Sequence, residues 1–236
     1  MKLKFEYERQ EIEFELTRRK RKTICIKIDE AGQVMVSAPL KISKEYILLV
    51  VKNRGSWIIA KKKEVTQRSL KRITRNFSEG NTFMYLGKEY PLKIVLQSNR
   101  KSIFIKFNDK FEIYTNTMEE EKLRSALEKW YRTETLKIVT ERIAFYSSNF
   151  KDKVTEIKVK EQKRRWASCT GKNAILFNWR ISMAKLDVVD YIVVHEMCHM
   201  DYRNHSKFFW NRVSEIMPNY KDKHEWLKIH GMNLYI

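Results

Sequence analysis

The chain has 236 residues, of which 43% are hydrophobic and 12% aromatic, a composition that excludes a disordered protein. This length can bury a sizeable core, either as one elaborated domain or as two small ones. The chain has 48 Lys and Arg residues and 29 Asp and Glu residues, which gives a net charge of +19. This excess of positive charge favours contact with nucleic acid, nucleotides or other polyanions. The alternative explanation is a lysine-rich surface that is simply solvated.

The spacing of the cysteines and the pattern of hydropathy indicate the cellular compartment in which the protein is found. Cys25, Cys169 and Cys198 are widely spaced, which argues against a disulfide framework and for a reducing environment. The first residues lack the apolar run of a signal peptide, and no stretch approaches the length of a membrane span. We therefore expect a cytoplasmic protein without membrane contact, and the sequence does not indicate its oligomeric state.

The first half of the chain shows strand-like alternation interrupted by one helical segment. Residues 23–38 alternate apolar and polar side chains around a polar turn, which predicts a β-hairpin. Ser43 is a plausible N-cap for a helix that runs to Lys63. Two further hairpins are predicted over residues 83–95 and 103–114. Residues 1–116 are thus predicted to form a β-hairpin-rich region with one helix.

The character of the sequence changes near residue 117. Thr117 and Glu120 have the spacing of a capping box, which predicts a long amphipathic helix to about Phe150. Two strand-like runs follow, Val154–Val159 and Ala174–Ile181, and then two helical segments. The sequence therefore predicts an α+β fold in which a second domain, residues 117–236, carries the chemistry.

The motif that points to chemistry is His195-Glu196-Met197-Cys198-His199. Histidines four residues apart on a helix project from one face and can share one zinc ion. The glutamate can then take a proton from a zinc-bound water, which is the core of metal-assisted hydrolysis. The apolar run before the motif reads as the first turns of a buried helix, the rigid setting that a metal site needs.

A third protein ligand is needed, and His205 is the preferred candidate. In a continuous helix, position 205 would lie roughly 80° away from the face that carries His195. The third histidine can therefore reach the metal only if the helix stops between residues 200 and 204, and Asn204 and Ser206 are residues that favour such a break. The spacing matches the metzincin pattern except that Tyr202 replaces its glycine. The alternative ligand is a carboxylate such as Glu215.

Several motifs together resemble the YgjP-like metallopeptidase family, which is related to the SprT-type zincins. The motifs are Trp166-Ala167-Ser168-Cys169, Asn178-Trp179-Arg180, the run 190–199, Asn204-His205-Ser206 and Phe209-Trp210. Upstream, residues 18–38 and 85–88 are also similar to that family, so the likeness covers nearly the whole chain. It implies a zincin-like catalytic domain with an HExxH active-site helix, zinc on His195, His199 and His205, and Glu196 as the catalytic carboxylate.

The leading hypothesis is a zinc-dependent metallopeptidase acting on a protein or peptide. Its substrate is expected to add as a strand beside the run 174–181, with Asn178 and Arg180 as candidate substrate-binding residues. A structural ion pair is the alternative role for Arg180. The resemblance also implies a second activity, a nucleoside triphosphate (UTP) pyrophosphatase, although the sequence has no glycine-rich phosphate loop. A third hypothesis is a nucleic-acid-associated module whose zinc is structural. The sequence argues against it, because it lacks the cysteine-rich set of ligands that closes a structural zinc site.

Overall fold

The computed structural model of the chain describes residues 1–29, 31–70, 75–162 and 165–236. They form two compact units, Met1–Ile73 and Thr74–Ile236. Helices and strands are mixed along the chain, so the predicted α+β class is confirmed. None of the helices in these ranges is long and apolar enough to cross a membrane.

The first unit contains a four-stranded sheet and two helices. Its strands occur in the order β1-β2-β4-β3, and β2 and β4 are parallel while the other neighbours are antiparallel. The elements are β1 (Lys2–Tyr7), β2 (Gln10–Arg19), β3 (Cys25–Ile28), β4 (Val34–Pro39), α1 (Lys44–Lys52) and α2 (Gly55–Leu70). Alternation in β2 buries Ile12, Phe14 and Leu16 while the residues between them stay exposed, because successive side chains point to opposite faces.

Two features of this unit differ from the sequence prediction. The hairpin at residues 23–38 is confirmed as β3 and β4, but the preceding hairpin of β1 and β2 was not predicted. Its turn uses positive φ angles at Glu8 (47°) and Arg9 (63°). Glycine or asparagine usually occupies such positions, so the turn gives no recognisable signal in the sequence.

The single helix predicted from Ser43 to Lys63 is two helices. Ser43 does cap α1, since its side chain accepts a hydrogen bond of 3.2 Å from the backbone N–H of Tyr46. The helix ends at Lys52 with Asn53 as its C-cap, and α2 begins at Gly55. Asparagine and glycine are weak helix formers, which accounts for a break at this point.

The second unit begins with another four-stranded sheet, in the order β5-β6-β8-β7. Both predicted hairpins are confirmed, and β6 runs parallel to β8. The strands are β5 (Thr82–Tyr85), β6 (Lys88–Leu96), β7 (Phe104–Phe107) and β8 (Phe111–Thr115). They are followed by the 27-residue helix α3 (Glu120–Tyr146).

The predicted capping box at the start of α3 does not form. Glu119 is the N-cap and makes no side-chain capping bond. The hydroxyl of Thr117 instead accepts a hydrogen bond of 3.1 Å from the backbone N–H of Glu119, within the turn that precedes the helix. Glu120 is consequently the first helical residue and not the third, so it cannot reach back as a capping box requires.

The compact units divide after residue 73, whereas the sequence analysis placed a boundary near residue 116. The sheet of residues 82–115 shares one hydrophobic core with α3, in which Phe83 and Phe111 pack together with Leu127. The hydroxyl of Tyr131 also donates a hydrogen bond of 2.6 Å to the carbonyl of Met84. The apolar face of α3 is thus covered by strands that precede residue 116.

A three-stranded sheet and three helices complete the second unit. The strands are β9 (Glu156–Lys160), β10 (Ala167–Cys169) and β11 (Ala174–Asn178), in the order β10-β11-β9. A 3-10 helix at Trp179–Met183 leads into α4 (Leu186–Asp201), α5 (Lys207–Ile216) and α6 (Tyr220–His230). The expectation that the run 174–181 is a sheet edge is therefore wrong, since β11 is central and the edge strands are β10 and β9. With three residues, β10 is too short for periodicity to predict.

An ion pair joins α3 to the start of α4. The Nη2 of Arg142 donates to the Oδ2 of Asp190 at 3.0 Å, and its Nε donates to the other carboxylate oxygen. Both side chains are largely buried, at 21% and 12% exposure. Such a pair orients two helices, and the loss of one partner leaves an uncompensated charge in the interior.

Replacing Asp190 with alanine should therefore destabilise the protein strongly. We expect a loss of about 3 kcal/mol in the free energy of unfolding, measured by urea denaturation. The control is Glu156→Ala, which removes an exposed partner of Lys158 and should cost less than about 1 kcal/mol. Equal losses in the two variants would contradict a structural role for the buried pair.

Candidate metal centre

Three histidine side chains converge at the end of α4. His195 and His199 lie one helical turn apart on that helix, and His205 lies in the segment between α4 and α5. The Nε2 atoms of His195 and His205 are 3.0 Å apart. One ring nitrogen from each of the three lies within 4.8 Å of the others.

The helix break that brings His205 into the cluster is confirmed. Helix α4 ends at Asp201, and Tyr202 is extended, with φ −134° and ψ 108°. Ser206 begins α5 as its N-cap, accepting a hydrogen bond of 3.4 Å from the backbone N–H of Phe209. The side-chain oxygen of Asn204 accepts a hydrogen bond of 3.3 Å from the Ser206 N–H, which shapes the turn.

Arg203 ties this connecting segment to the turn between β10 and β11. Its guanidinium donates to the carbonyls of Thr170 at 2.8 Å and Gly171 at 3.3 Å, and to the side chain of Asn173 at 2.5 Å. The planar guanidinium holds several donors in one fixed geometry. The position of the segment that carries His205 is thus set from both sides, by its own caps and by Arg203.

The electrostatics of the cluster favour neutral imidazoles. Burial, reinforced by the neighbouring histidines, lowers the pKa of His195 to about 3. Burial also lowers the pKa of His199, although its hydrogen bond to the Tyr202 carbonyl opposes the shift. That bond, 3.1 Å from Nδ1, places the proton on Nδ1 and leaves the Nε2 lone pair available. Neutral imidazole is the form that binds a metal ion.

Glu196 is buried beside the histidines, with 6% of its surface exposed. Burial raises the pKa of its carboxyl group to about 7, and a hydrogen bond from the Cys169 backbone N–H lowers it in part. Its Oε2 is buried and has no hydrogen-bond partner among the described residues. The centre therefore combines three imidazole rings with one buried carboxylate oxygen that has no hydrogen-bond partner among the described residues.

Phe209 forms the floor of the cluster, and the sequence analysis did not assign it this role. Its ring centroid lies 4.9 Å from that of His195, 4.6 Å from that of His199 and 4.8 Å from that of His205. The side chain is fully buried. A ring that touches all three imidazoles restricts their orientations, and its position on the first turn of α5 is the signal that could have pointed to it.

The donor set fits a zinc ion. Bonds of 2.0–2.1 Å in tetrahedral geometry place ligand nitrogens about 3.4 Å apart, between the shortest and longest separations in the cluster. Three imidazoles suit zinc and other transition metals, whereas magnesium and calcium prefer oxygen ligands. Within the described residues, no other group of three or more His, Cys, Asp or Glu side chains brings its ligand atoms this close together.

The alternative ligand Glu215 lies outside the cluster. Its Oε2 instead accepts a hydrogen bond of 3.1 Å from Arg212 on the same helix. The Nε of Arg212 also binds Asp201 at 3.0 Å, which links α5 to the last residue of α4. The observed role of Glu215 is therefore part of an ion-pair network.

Asn178 and Arg180 are not brought to the histidine cluster. The Asn178 side chain donates to the carbonyls of Gln162 at 2.8 Å and Arg165 at 3.2 Å, and accepts from the Arg180 backbone N–H at 3.1 Å. The Arg180 guanidinium pairs with Glu161 at 2.9 Å, the arrangement that the structural ion-pair alternative predicts. Substrate binding by either residue stays a prediction.

Most of the chain is similar to a known protein family. Residues 22–230 match the family described as YgjP-like, metallopeptidase domain, as the resemblance in the sequence predicted. Two solved structures are similar to parts of it. They are the metallopeptidase zymogens of Pyrococcus abyssi abylysin (18% identity, 39% of this chain, 92% of that chain, TM-score 0.36) and Methanocaldococcus jannaschii jannalysin (23%, 41%, 94%, TM-score 0.31). No curated protein matches the chain.

The third ligand can be tested by comparing two variants. We expect His205→Ala to lose most of its zinc affinity, measured by competition with a chromogenic chelator, because one of three ligands is removed. Glu215→Ala should bind zinc as the wild type does. Unchanged zinc affinity in His205→Ala would contradict the assignment.

The role of Phe209 in supporting the three histidines can be tested, with the neighbouring Phe208 as a matched control. Phe209→Ala should weaken zinc binding by about 10-fold or more, since residues that support metal ligands typically contribute that much. Phe208→Ala changes an adjacent phenylalanine that is 66% exposed, and it should leave zinc affinity unchanged. Phe209→Leu keeps most of the buried volume, so its zinc affinity should lie between those of Phe209→Ala and Phe208→Ala. Wild-type affinity in folded Phe209→Ala would show that the ring does not position the histidines.

Proposed function

The chain belongs to the YgjP-like metallopeptidase family, and we propose that it is a zinc-dependent peptidase in which Glu196 is the general base. The observation that carries the proposal is the convergence of three imidazole nitrogens beside a buried carboxylate oxygen. The zincin-like character of the domain, with α4 as its active-site helix, is part of the same proposal.

The residues of the centre divide the chemistry between them. A zinc ion held by His195, His199 and His205 would supply an activated water and polarise the scissile carbonyl. Glu196 would take a proton from the attacking water on its unpartnered Oε2 and deliver it to the leaving nitrogen. Its burial strengthens electrostatic interactions at the reacting atoms, because the effective dielectric constant is lower there than in water.

The substrate peptide is proposed to bind along β10. Within the described residues, this strand pairs with β11 and no strand pairs with its other edge, where an added strand could bind. The Cys169 backbone N–H contributes to the hydrogen bonding of Glu196, which shows that β10 lies directly beside the centre. A peptide on this edge would pass the histidines and the glutamate together.

The other functions considered from the sequence have less support. Neither the family match nor the site favours a nucleotide pyrophosphatase, and the apolar cavity at the site is small for a nucleotide. Contact with nucleic acid or nucleotides stays a prediction that rests on the net charge. The basic residues are densest at positions 18–22, and one of them is already engaged, since Arg18 donates to the carbonyls of Pro39 and Leu40.

The general-base role predicts the behaviour of Glu196→Gln. The zinc-loaded variant should cleave a denatured protein or a quenched fluorescent peptide at least about 100-fold more slowly than the wild type, because amide oxygen is a poor proton acceptor. Its zinc content should be unchanged, since Glu196 is not a ligand. The exposed control Glu156→Gln should retain activity. Cleavage by Glu196→Gln at the wild-type rate would rule out the mechanism.

A further inference from the structure

A cavity of about 280 Å³ adjoins the metal centre on the side of α6. We term it the α6 pocket. We propose that the α6 pocket binds one uncharged apolar side chain of the substrate, adjacent to the scissile bond, and thereby selects the peptide that is cleaved. The inference rests on the proposed peptidase function and adds the substrate class to it.

The position of the pocket links it to both parts of the site. His195 and Glu196 of the metal centre are among its lining residues. Ala167, the first residue of β10, forms part of the wall. A peptide paired with β10 directs alternate side chains to the face on which Ala167 lies. One of these side chains enters the pocket while the neighbouring peptide bond lies at Glu196.

The volume restricts what can bind. Sites for complete small molecules usually measure about 300–1,000 Å³. The α6 pocket is slightly smaller and is open to the centre, so it suits a single amino-acid side chain. A nucleotide, which also carries several negative charges, would need more space and more cationic groups than the lining provides.

The lining is mainly apolar. Tyr191 and Ile192 come from α4, and Leu227 comes from α6, and all three are buried. Desolvation of an aliphatic or aromatic substrate side chain against such a surface is favourable, at about 25 cal/mol for each Å² buried.

The two charged residues of the lining offer no free partner to a charged side chain of the substrate. Lys228 is exposed and already paired with Glu225 at 2.8 Å. Glu196 is the proposed general base, so its carboxylate is engaged at the metal centre. A charged side chain that enters the pocket would lose hydration without gaining an unpaired partner.

The walls are held in place by packing. A Cβ atom at Gly231 would lie 2.6 Å from the ring of Trp166, so glycine allows the indole to rest against the end of α6. On the opposite wall, the ring of His224 lies 6.1 Å from that of Tyr191. The pocket is therefore formed before substrate binds, as is usual for specific sites.

The experiment measures kcat/KM of the zinc-loaded protein on quenched peptides. In these peptides each residue flanking the scissile bond is varied in turn among Ala, Leu, Phe, Asp and Lys, and Glu196→Gln supplies the background rate. At one flanking position the wild type should prefer Leu and Phe over Asp and Lys by at least about 10-fold.

Two variants test the residues that line the pocket. Ala167→Leu fills it, so kcat/KM on the Leu and Phe peptides should fall at least about 10-fold while that on the Ala peptide stays within about threefold. Lys228→Glu reverses the charge at the exposed end and should raise kcat/KM on the Lys peptide at least about fivefold. Lys221→Glu is the control, because Lys221 is exposed on the same helix but does not line the pocket.

The outcomes separate the two proposals. Absence of peptide cleavage above the Glu196→Gln background would overturn the peptidase function and this inference together. Cleavage with unchanged selectivity in both pocket variants would overturn the pocket alone. If Ala167→Leu fails to fold, the test rests on Lys228→Glu. The pocket assignment is then rejected if Lys228→Glu changes kcat/KM on the Lys peptide no more than Lys221→Glu does.

Discussion

The structure of the centre depends on one constraint, which is that three imidazoles from a short stretch of chain must meet at one point. Two of them can come from one face of α4, but a continuous helix would carry the third away from that face. The helix therefore has to end at Asp201, and the extended Tyr202 and the Ser206 cap complete the reversal. The start of α5 in turn fixes Phe209 beneath the rings.

The same helix places the chemistry in the interior. Most residues of α4 are buried, and Asp190 near its start is anchored to α3 by Arg142. Burial keeps His195 and His199 neutral and raises the pKa of Glu196. A central helix thus supplies the rigidity that metal ligands need. It also supplies the low dielectric constant that shifts the pKa values of these three side chains. The surface beside it, continued by α6, is where we propose that the substrate side chain binds.

The chemistry of the site was more predictable than its surroundings. The spacing of His195 and His199 and the capping residues near His205 are local signals, so the sequence predicted the cluster and the helix break. The role of Phe209 and the edge position of β10 depend on tertiary packing, which a local pattern does not contain. The β1–β2 hairpin was missed because Glu8 and Arg9 adopt backbone angles that their residue types seldom use. The packing of α3 against strands that precede residue 116 is likewise a tertiary contact that the local sequence pattern does not contain.

Arg203 has a mechanical consequence for this arrangement. Its hydrogen bonds join the loop that carries a metal ligand to the turn that follows the substrate strand β10. The loop and the turn therefore cannot move apart unless these hydrogen bonds break. A shift of the β10–β11 turn would either carry the His205 loop with it or leave the Arg203 guanidinium without its partners.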